Sequence, residues 1–156
     1  MKRRIVDFRR DEESHWVARL DCGHPQHTRH DPPFVEREWA LSAEGRASKI
    51  GECLDCLRCD RHELPDDIVL SHRSDIFTEE TLPQGLQSRH QTKAGLWARL
   101  GVLEGAVLFK EFQPFHTLTP LSPGVPGIVV PEVPHEVLWE GPFRMQIEFF
   151  KVPVTD

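Results

Sequence analysis

No apolar run in this chain approaches the ~18 residues needed to cross a bilayer, and the Met-Lys-Arg-Arg start leads into Ile-Val-Asp-Phe, not into the apolar core of a signal peptide. A membrane partner is not expected, and a soluble cytoplasmic protein is. Basic excess is missing too, since 19 Lys and Arg stand against 25 Asp and Glu for a net charge of −6. Residues 1–64 hold 12 basic and 13 acidic side chains, and residues 65–156 hold 7 and 12. Neither half has the positive field that phosphate binding requires. Arg29, Arg37, Arg46, Arg58 and Arg61 suggest nucleic acid as a third reading, which the local charge opposes. Cysteine is scarce: there are four, all in the first 64 residues. A cytosolic setting keeps thiols reduced, so they are better read as metal ligands than as a disulfide framework. Nine of the 13 prolines fall in residues 83–156, which excludes long helices there.

What is present is a dense set of soft ligands. The first run reads Cys22-Gly-His24-Pro-Gln-His27-Thr-Arg-His30 and the second Cys53-Leu-Asp-Cys56-Leu-Arg-Cys59. Mixed sulfur and imidazole donors spaced one or two residues apart suit a tetrahedral zinc. One pair from each run would close the loop between them, which is how an ion stabilises a small core. The expected set is Cys22, His24, Cys56 and Cys59, with His27 as the alternative to His24 and with Cys53 and His30 as weaker candidates. An iron-sulfur cluster would use all four thiols and leave the histidines unexplained. A set of three cysteines and one histidine has no open position for water or substrate, so this zinc is read as structural.

Ile5, Val6 and Phe8, then a polar stretch, then Trp16, Ala18 and Leu20 predict a β-hairpin running into the ligand turn at Gly23. Pro32 and Pro33 forbid regular pairing. Ser42 to Gly51 has a capping serine, a helix-compatible body and a terminal glycine, and predicts one short helix. Short runs at 97–103, 106–112, 127–130, 135–139 and 143–152, separated by Gly and Pro, predict strands of a small sandwich or barrel. The organisation expected is a small zinc-stabilised α+β domain at 1–64, a linker at 65–82 with one strand near 67–71, and a β-domain at 83–156. The fold class is thus mainly β.

Two resemblances sharpen this reading. Trp16-Val-Ala-Arg-Leu20, the Cys22 to Pro33 stretch, Trp39, Glu44-Gly-Arg46 and Cys56-Leu-Arg-Cys59 are similar to a small bacterial domain family of uncharacterised function with a C-G-H-x-Q-H-x-R-H signature. That resemblance spans most of residues 4–60 and implies a metal-binding module. In the second half, Leu82-Pro-Gln-Gly-Leu86, Arg89-His90-Gln-Thr-Lys93, Leu96-Trp-Ala-Arg99-Leu, Val129-Val-Pro-Glu-Val-Pro-His135 and Phe149-Phe150 resemble the TehB/YeaR-like cupins. This implies a jelly-roll barrel over about residues 80–152 with metal ligands inside it. Relatives are associated with tellurite resistance or with nitrate and nitrite stress, some ahead of a methyltransferase. The Gly-rich strand-to-helix turn that would bind a methyl donor is missing here, so methyl transfer by this polypeptide is not expected.

Of the ligands the cupin resemblance implies, His90 and His135 survive. Thr92 stands where a second histidine is usual, and no glutamate follows it at the usual place. Glu148, on a polar strand face with Arg144 and Gln146, could complete a 2-His-1-carboxylate set suited to Fe, Zn or Mn. The bland readings are a surface His90 and a satisfied core His135. Arg99 either orients an anion in the pocket or pairs with Glu148. His15, His62, His72 and His116 receive no role. The function expected is a stress or detoxification protein with a structural zinc and a cupin pocket that binds a metal and a small anionic ligand. The alternative is a non-enzymatic sensor or interaction module with no metal in the barrel. Pairing of edge strands would give a homodimer.

Overall fold

In the computed structural model the described residues are 1–28 and 37–154, so the expectations for Arg29, His30, Pro32 and Pro33 lie outside them. The first half is built on a sheet of order β3-β2-β1-β4. Its long hairpin pairs β1 (Lys2–Arg10) with β2 (Trp16–Leu20), as the alternation predicts. The connection is tied by Asp11, whose carboxylate accepts from the backbone N–H groups of Glu13 and His15. Short strands β3 (Pro25–His27) and β4 (Cys53–Asp55) flank this hairpin. Between them lie α1 (Glu38–Leu41) and α2 (Ala43–Lys49). The Ser42 hydroxyl caps α2 by accepting from the Gly45 N–H at 2.9 Å. A single turn, α3 (Leu57–Asp60), carries Cys59.

The second half consists of two antiparallel sheets that share one apolar core. In the larger, order β10-β7-β12-β5, the long strands β7 (Leu96–Glu104) and β12 (Arg144–Lys151) pair along their whole length. The outer strands are β10 (Gly127–Val129) and β5 (Val69–Arg73), and β6 (Phe77–Thr78) joins the start of β12. Residues 65–82, expected as a linker with one strand, thus put two strands on this sheet. One further helical turn, α4 (Gln84–Gln87), precedes β7. The smaller sheet has the order β11-β8-β9, from His135–Leu138, Val107–Glu111 and Thr117–Leu121. The sequence hides β9 because Pro120 interrupts it. An edge strand tolerates a residue with no N–H to donate. Ala98, Leu100, Val102, Phe109, Leu121, Met145 and Ile147 fill the space between the sheets. No helix among the described residues is long and apolar enough to cross a membrane.

A second apolar cluster joins the halves. Side chains alternate along β7, so that Ala98 and Leu100 enter the sandwich while Trp97 leaves by the opposite face. There Trp97, Val130 and Val133 pack with Ile5, Ala18, Leu20 and the thiols Cys22, Cys56 and Cys59. The Trp97 indole N–H donates to the Cys22 carbonyl at 2.8 Å. Arg3, 2% exposed, reaches across in the same region. Its guanidinium donates to the Pro131 carbonyl at 2.6 Å and pairs with Glu132 at 3.2 Å. His62 meets the buried Glu111 at 2.8 Å.

Candidate functional site

The hairpin end and α3 converge on one point. Gly23, at φ +94°, lets the chain reverse directly after β2 and sets Cys22 and His24 on the same side of the turn. Cys56 immediately precedes α3 and Cys59 lies within it, so both sulfurs face that turn. Cys22, His24, Cys56 and Cys59 are all buried, and their ligand atoms lie within 4.8 Å of one another. His24 Nδ1 is 3.5 Å from Cys22 Sγ, 3.3 Å from Cys56 Sγ and 3.7 Å from Cys59 Sγ. The Cys22 and Cys56 sulfurs are 3.9 Å apart. A zinc ion bound tetrahedrally at ordinary lengths sets sulfurs ~3.8 Å apart and nitrogen ~3.5 Å from sulfur. The donors therefore already stand at the spacing of a zinc site made of three sulfurs and one nitrogen. Hydrogen bonding to Cys56 and Cys59, with burial, pushes the Cys22 thiol above its ordinary range. The hydrogen bonds from Cys22 and Cys59 hold Cys56 below it, which favours the thiolate that binds metal. The His24 ring stands edge-on to Trp97, with ring centres 5.4 Å apart.

His27 lies on β3 with its side chain 59% exposed and beside Asp11, away from the cluster. Cys53 is exposed on β4.

A cavity of about 690 Å³ opens into the sandwich between β7, β12 and the segment 90–96. Its walls include Ala98, Leu100, Val129, Val137, Ile147 and Phe149. His90 and His135 both line it and form a backbone bridge, with ring centres 4.3 Å apart. His135 Nδ1 lies 2.8 Å from the Val133 carbonyl and His90 Nδ1 lies 2.7 Å from the Ser88 carbonyl. A carbonyl only accepts, so each Nδ1 carries a proton, and a ring in its neutral form keeps its lone pair on Nε2. Burial lowers His135 to a pKa of about 4, reinforced by the neighbouring His90 and opposed by the Val133 carbonyl. His135 is neutral at pH 7.

Arg99 and Glu148, expected in this pocket, are not in it. On β7 and β12 the side chains that enter the cavity are Leu96, Ala98, Leu100, Ile147, Phe149 and Lys151, whereas Arg99 and Glu148 occupy the opposite face. There the Arg99 guanidinium donates to Glu148 at 2.7 and 2.9 Å, and Arg73 adds a contact at 3.1 Å. Arg99, seconded by Arg73, holds the Glu148 carboxyl below the usual carboxylate range. The alternation along β12 is legible in the sequence. What misleads is that its polar face covers the outside of the sheet while its apolar face lines the cavity.

Two residues that the sequence reading passed over belong to the cavity, Lys93 and Lys151. Of the chain's five lysines, Lys2, Lys49 and Lys110 form ion pairs with Asp55, Glu52 and Glu136. Among the described residues Lys93 and Lys151 have no ion-pair partner, and none of those residues brings a carboxylate to the cavity lining. The signal was available: Lys151 continues the Met145, Ile147, Phe149 face at a spacing of two.

A mainly β chain with a buried group of three cysteines and one histidine is thus the class that fold and site define. Residues 6–63 match the family described as protein of unknown function (DUF3565), and residues 72–147 match the TehB-like domain. Over 48 residues the chain is 33% identical to proteins of two strains of Haemophilus influenzae, each named probable S-adenosyl-L-methionine-dependent methyltransferase TehB. That stretch is 31% of this chain and 17% of theirs, so the match spans about a sixth of those relatives. Among solved structures, a protein from E. coli strain K12 superposes with a TM-score of 0.53 at 23% identity, over 59% of this chain and 98% of that one. TehB from H. influenzae superposes with a TM-score of 0.51 at 24% identity, over 55% of this chain and 32% of that one. These likenesses concern the fold.

Proposed function

We propose that this is a cytoplasmic small-molecule-binding protein of the stress or detoxification type, in which a structural zinc on Cys22, His24, Cys56 and Cys59 braces a cupin-like jelly roll whose cavity takes a small anion. The observation that carries the anion reading is the pairing of Lys93 with Lys151. In a chain of net charge −6, the two lysines that have no acidic partner among the described residues line one cavity, and no carboxylate of those residues lines it with them. The jelly-roll reading draws on two antiparallel sheets sharing one core, and the stress setting on the resemblance to TehB-like domains. Methyl transfer belongs to the name of relatives of which this chain matches a sixth.

A metal in the barrel fits less well. Glu148 faces away, and among the described residues no thiol, carboxylate or third imidazole groups with His90 and His135 as the ligands do at the cysteine cluster. Two imidazoles with free Nε2 atoms remain a minimal pair for Fe, Zn or Mn, and that second reading is separable by content. Elemental analysis of the wild type is expected to give one zinc per chain, lost in Cys56→Ser/Cys59→Ser and retained in His90→Ala. A second metal that disappears with His90→Ala would move the barrel to the metal-binding reading. Anion binding is tested by calorimetry on the wild type and on Lys93→Ala/Lys151→Ala.

A further inference from the structure

The cavity is far larger and far more apolar than an inorganic anion needs. A volume of about 690 Å³ lies within the roughly 300–1,000 Å³ typical of sites for organic molecules. Lys93 and Lys151 are both exposed and so mark its rim, while His135, 4% exposed, marks its depth. Between them the walls are Leu, Val, Ile and Phe, which give a bare oxyanion nothing to replace its hydration.

The deep end has a definite polarity. Both imidazoles commit Nδ1–H to backbone carbonyls, so the nitrogen each has left for the cavity is Nε2, an acceptor in a neutral ring. A carboxylate there would meet lone pairs. A hydroxyl or N–H would meet the partner it lacks. Thr92 also lines the cavity, and its hydroxyl is a buried group without a hydrogen-bond partner. Its backbone carbonyl accepts from the Glu132 N–H at 3.0 Å, which fixes the segment while the hydroxyl stays unsatisfied.

We infer that the cavity binds an organic acid with an apolar body and a hydroxyl at its far end, the carboxylate held at the rim by Lys93 and Lys151 and the hydroxyl donated to the His90 and His135 pair. This rests on the reading of the cavity as an anion site. The hydroxyl distinguishes the ligand from a simple fatty acid, and the apolar body distinguishes it from selenite, nitrate and other oxyanions.

The test is calorimetric titration of the zinc-loaded full chain with two matched pairs, 8-hydroxyoctanoate against octanoate and 3-(4-hydroxyphenyl)propanoate against 3-phenylpropanoate, and with selenite. At least one hydroxy acid is expected to bind, with its deoxy partner about tenfold weaker, the effect of one buried hydrogen bond. That discrimination should vanish in His90→Ala, and affinity should fall tenfold or more in Lys93→Ala/Lys151→Ala. Both lysines are exposed, so this variant is expected to fold. Equal affinity within both pairs overturns the hydroxyl assignment. Saturable selenite binding that is lost in the lysine variant, with no binding of the organic acids, overturns this inference and leaves the anion site standing. No binding by any of the five, or binding indifferent to the lysines, overturns both.

Discussion

With the proposed zinc on Cys22, His24, Cys56 and Cys59, removing the ion should loosen the β-sandwich as well as the small sheet beside the cluster. Trp97, Val130 and Val133 are 0–1% exposed and belong to the second half, yet their cover is Ile5, Ala18, Leu20 and the ligand thiols. Fully burying three such side chains is worth ~6 kcal/mol. If about half of that cover comes from the zinc layer, its loss removes ~3 kcal/mol. The Trp97 to Cys22 hydrogen bond adds ~1 kcal/mol. A total of ~4 kcal/mol is a large part of a domain stability of about 5–15 kcal/mol. For a chain of this size it corresponds to a fall in Tm of roughly 8–16 °C. The assay is melting of zinc-loaded protein followed by far-UV circular dichroism with and without a strong chelator, alongside hydrogen exchange of the β7 and β12 amides. Stoichiometric zinc release that leaves both the melt and the protection of those strands unchanged would refute the coupling.

Three further outcomes follow from particular contacts. His135 is depressed to about 4 in the fold against ~6.5 in an unfolded chain. Between those values only the unfolded state takes the proton, so this contribution is intact above about pH 6.5 and is lost as pH falls toward 4, by ~3 kcal/mol in all. Urea titrations of wild type and His135→Gln at pH 7 and pH 4.5 should show a smaller pH-dependent drop in the variant. Gly23→Ala should cost ~1–3 kcal/mol and weaken zinc retention in a chelator competition. Its Cβ would meet Val152 Cγ2 at 2.8 Å in a backbone at φ +94°. Glu148→Gln should change stability by no more than ~1 kcal/mol, because its partners Arg99 and Arg73 are 42% and 57% exposed. It should leave ligand titrations unaltered, and a change there would return Glu148 to the cavity.

Local chemistry was the legible part. The hairpin, the Ser42-capped helix and the approach of Cys22 and His24 to Cys56 and Cys59 follow from period-two alternation, turn residues and ligand spacing within about 40 residues. What depended on the far end of the chain was not. Nothing near Trp97 shows that it leaves the sandwich to cover thiols 38–75 residues earlier, because alternation gives two faces without saying which one is inside. The same ambiguity sent Arg99 and Glu148 to the wrong face. The linker expected at 65–82 has one strand near 67–71, close to β5, but β6 is only two residues long, and edge pairing to β12 leaves little trace in composition.

The two stretches that match separate families, 6–63 and 72–147, meet where the Trp97 indole donates to the Cys22 carbonyl, with Arg3, just ahead of the first stretch, reaching Pro131 and Glu132 beside them, and this constrains how such halves can be recombined. A zinc layer transplanted onto another sandwich would bring an apolar underside and the buried cation of Arg3. It would find a seat only where the new host offers a large aromatic residue at the position of Trp97, a free carbonyl like that of Pro131 and a carboxylate like that of Glu132. Where a sandwich of this kind lacks the layer, a polar residue in place of Trp97 would let the outer face of β7 meet water. The residue at that one position should therefore tell paired sandwiches from solitary ones across relatives, independently of any cysteine.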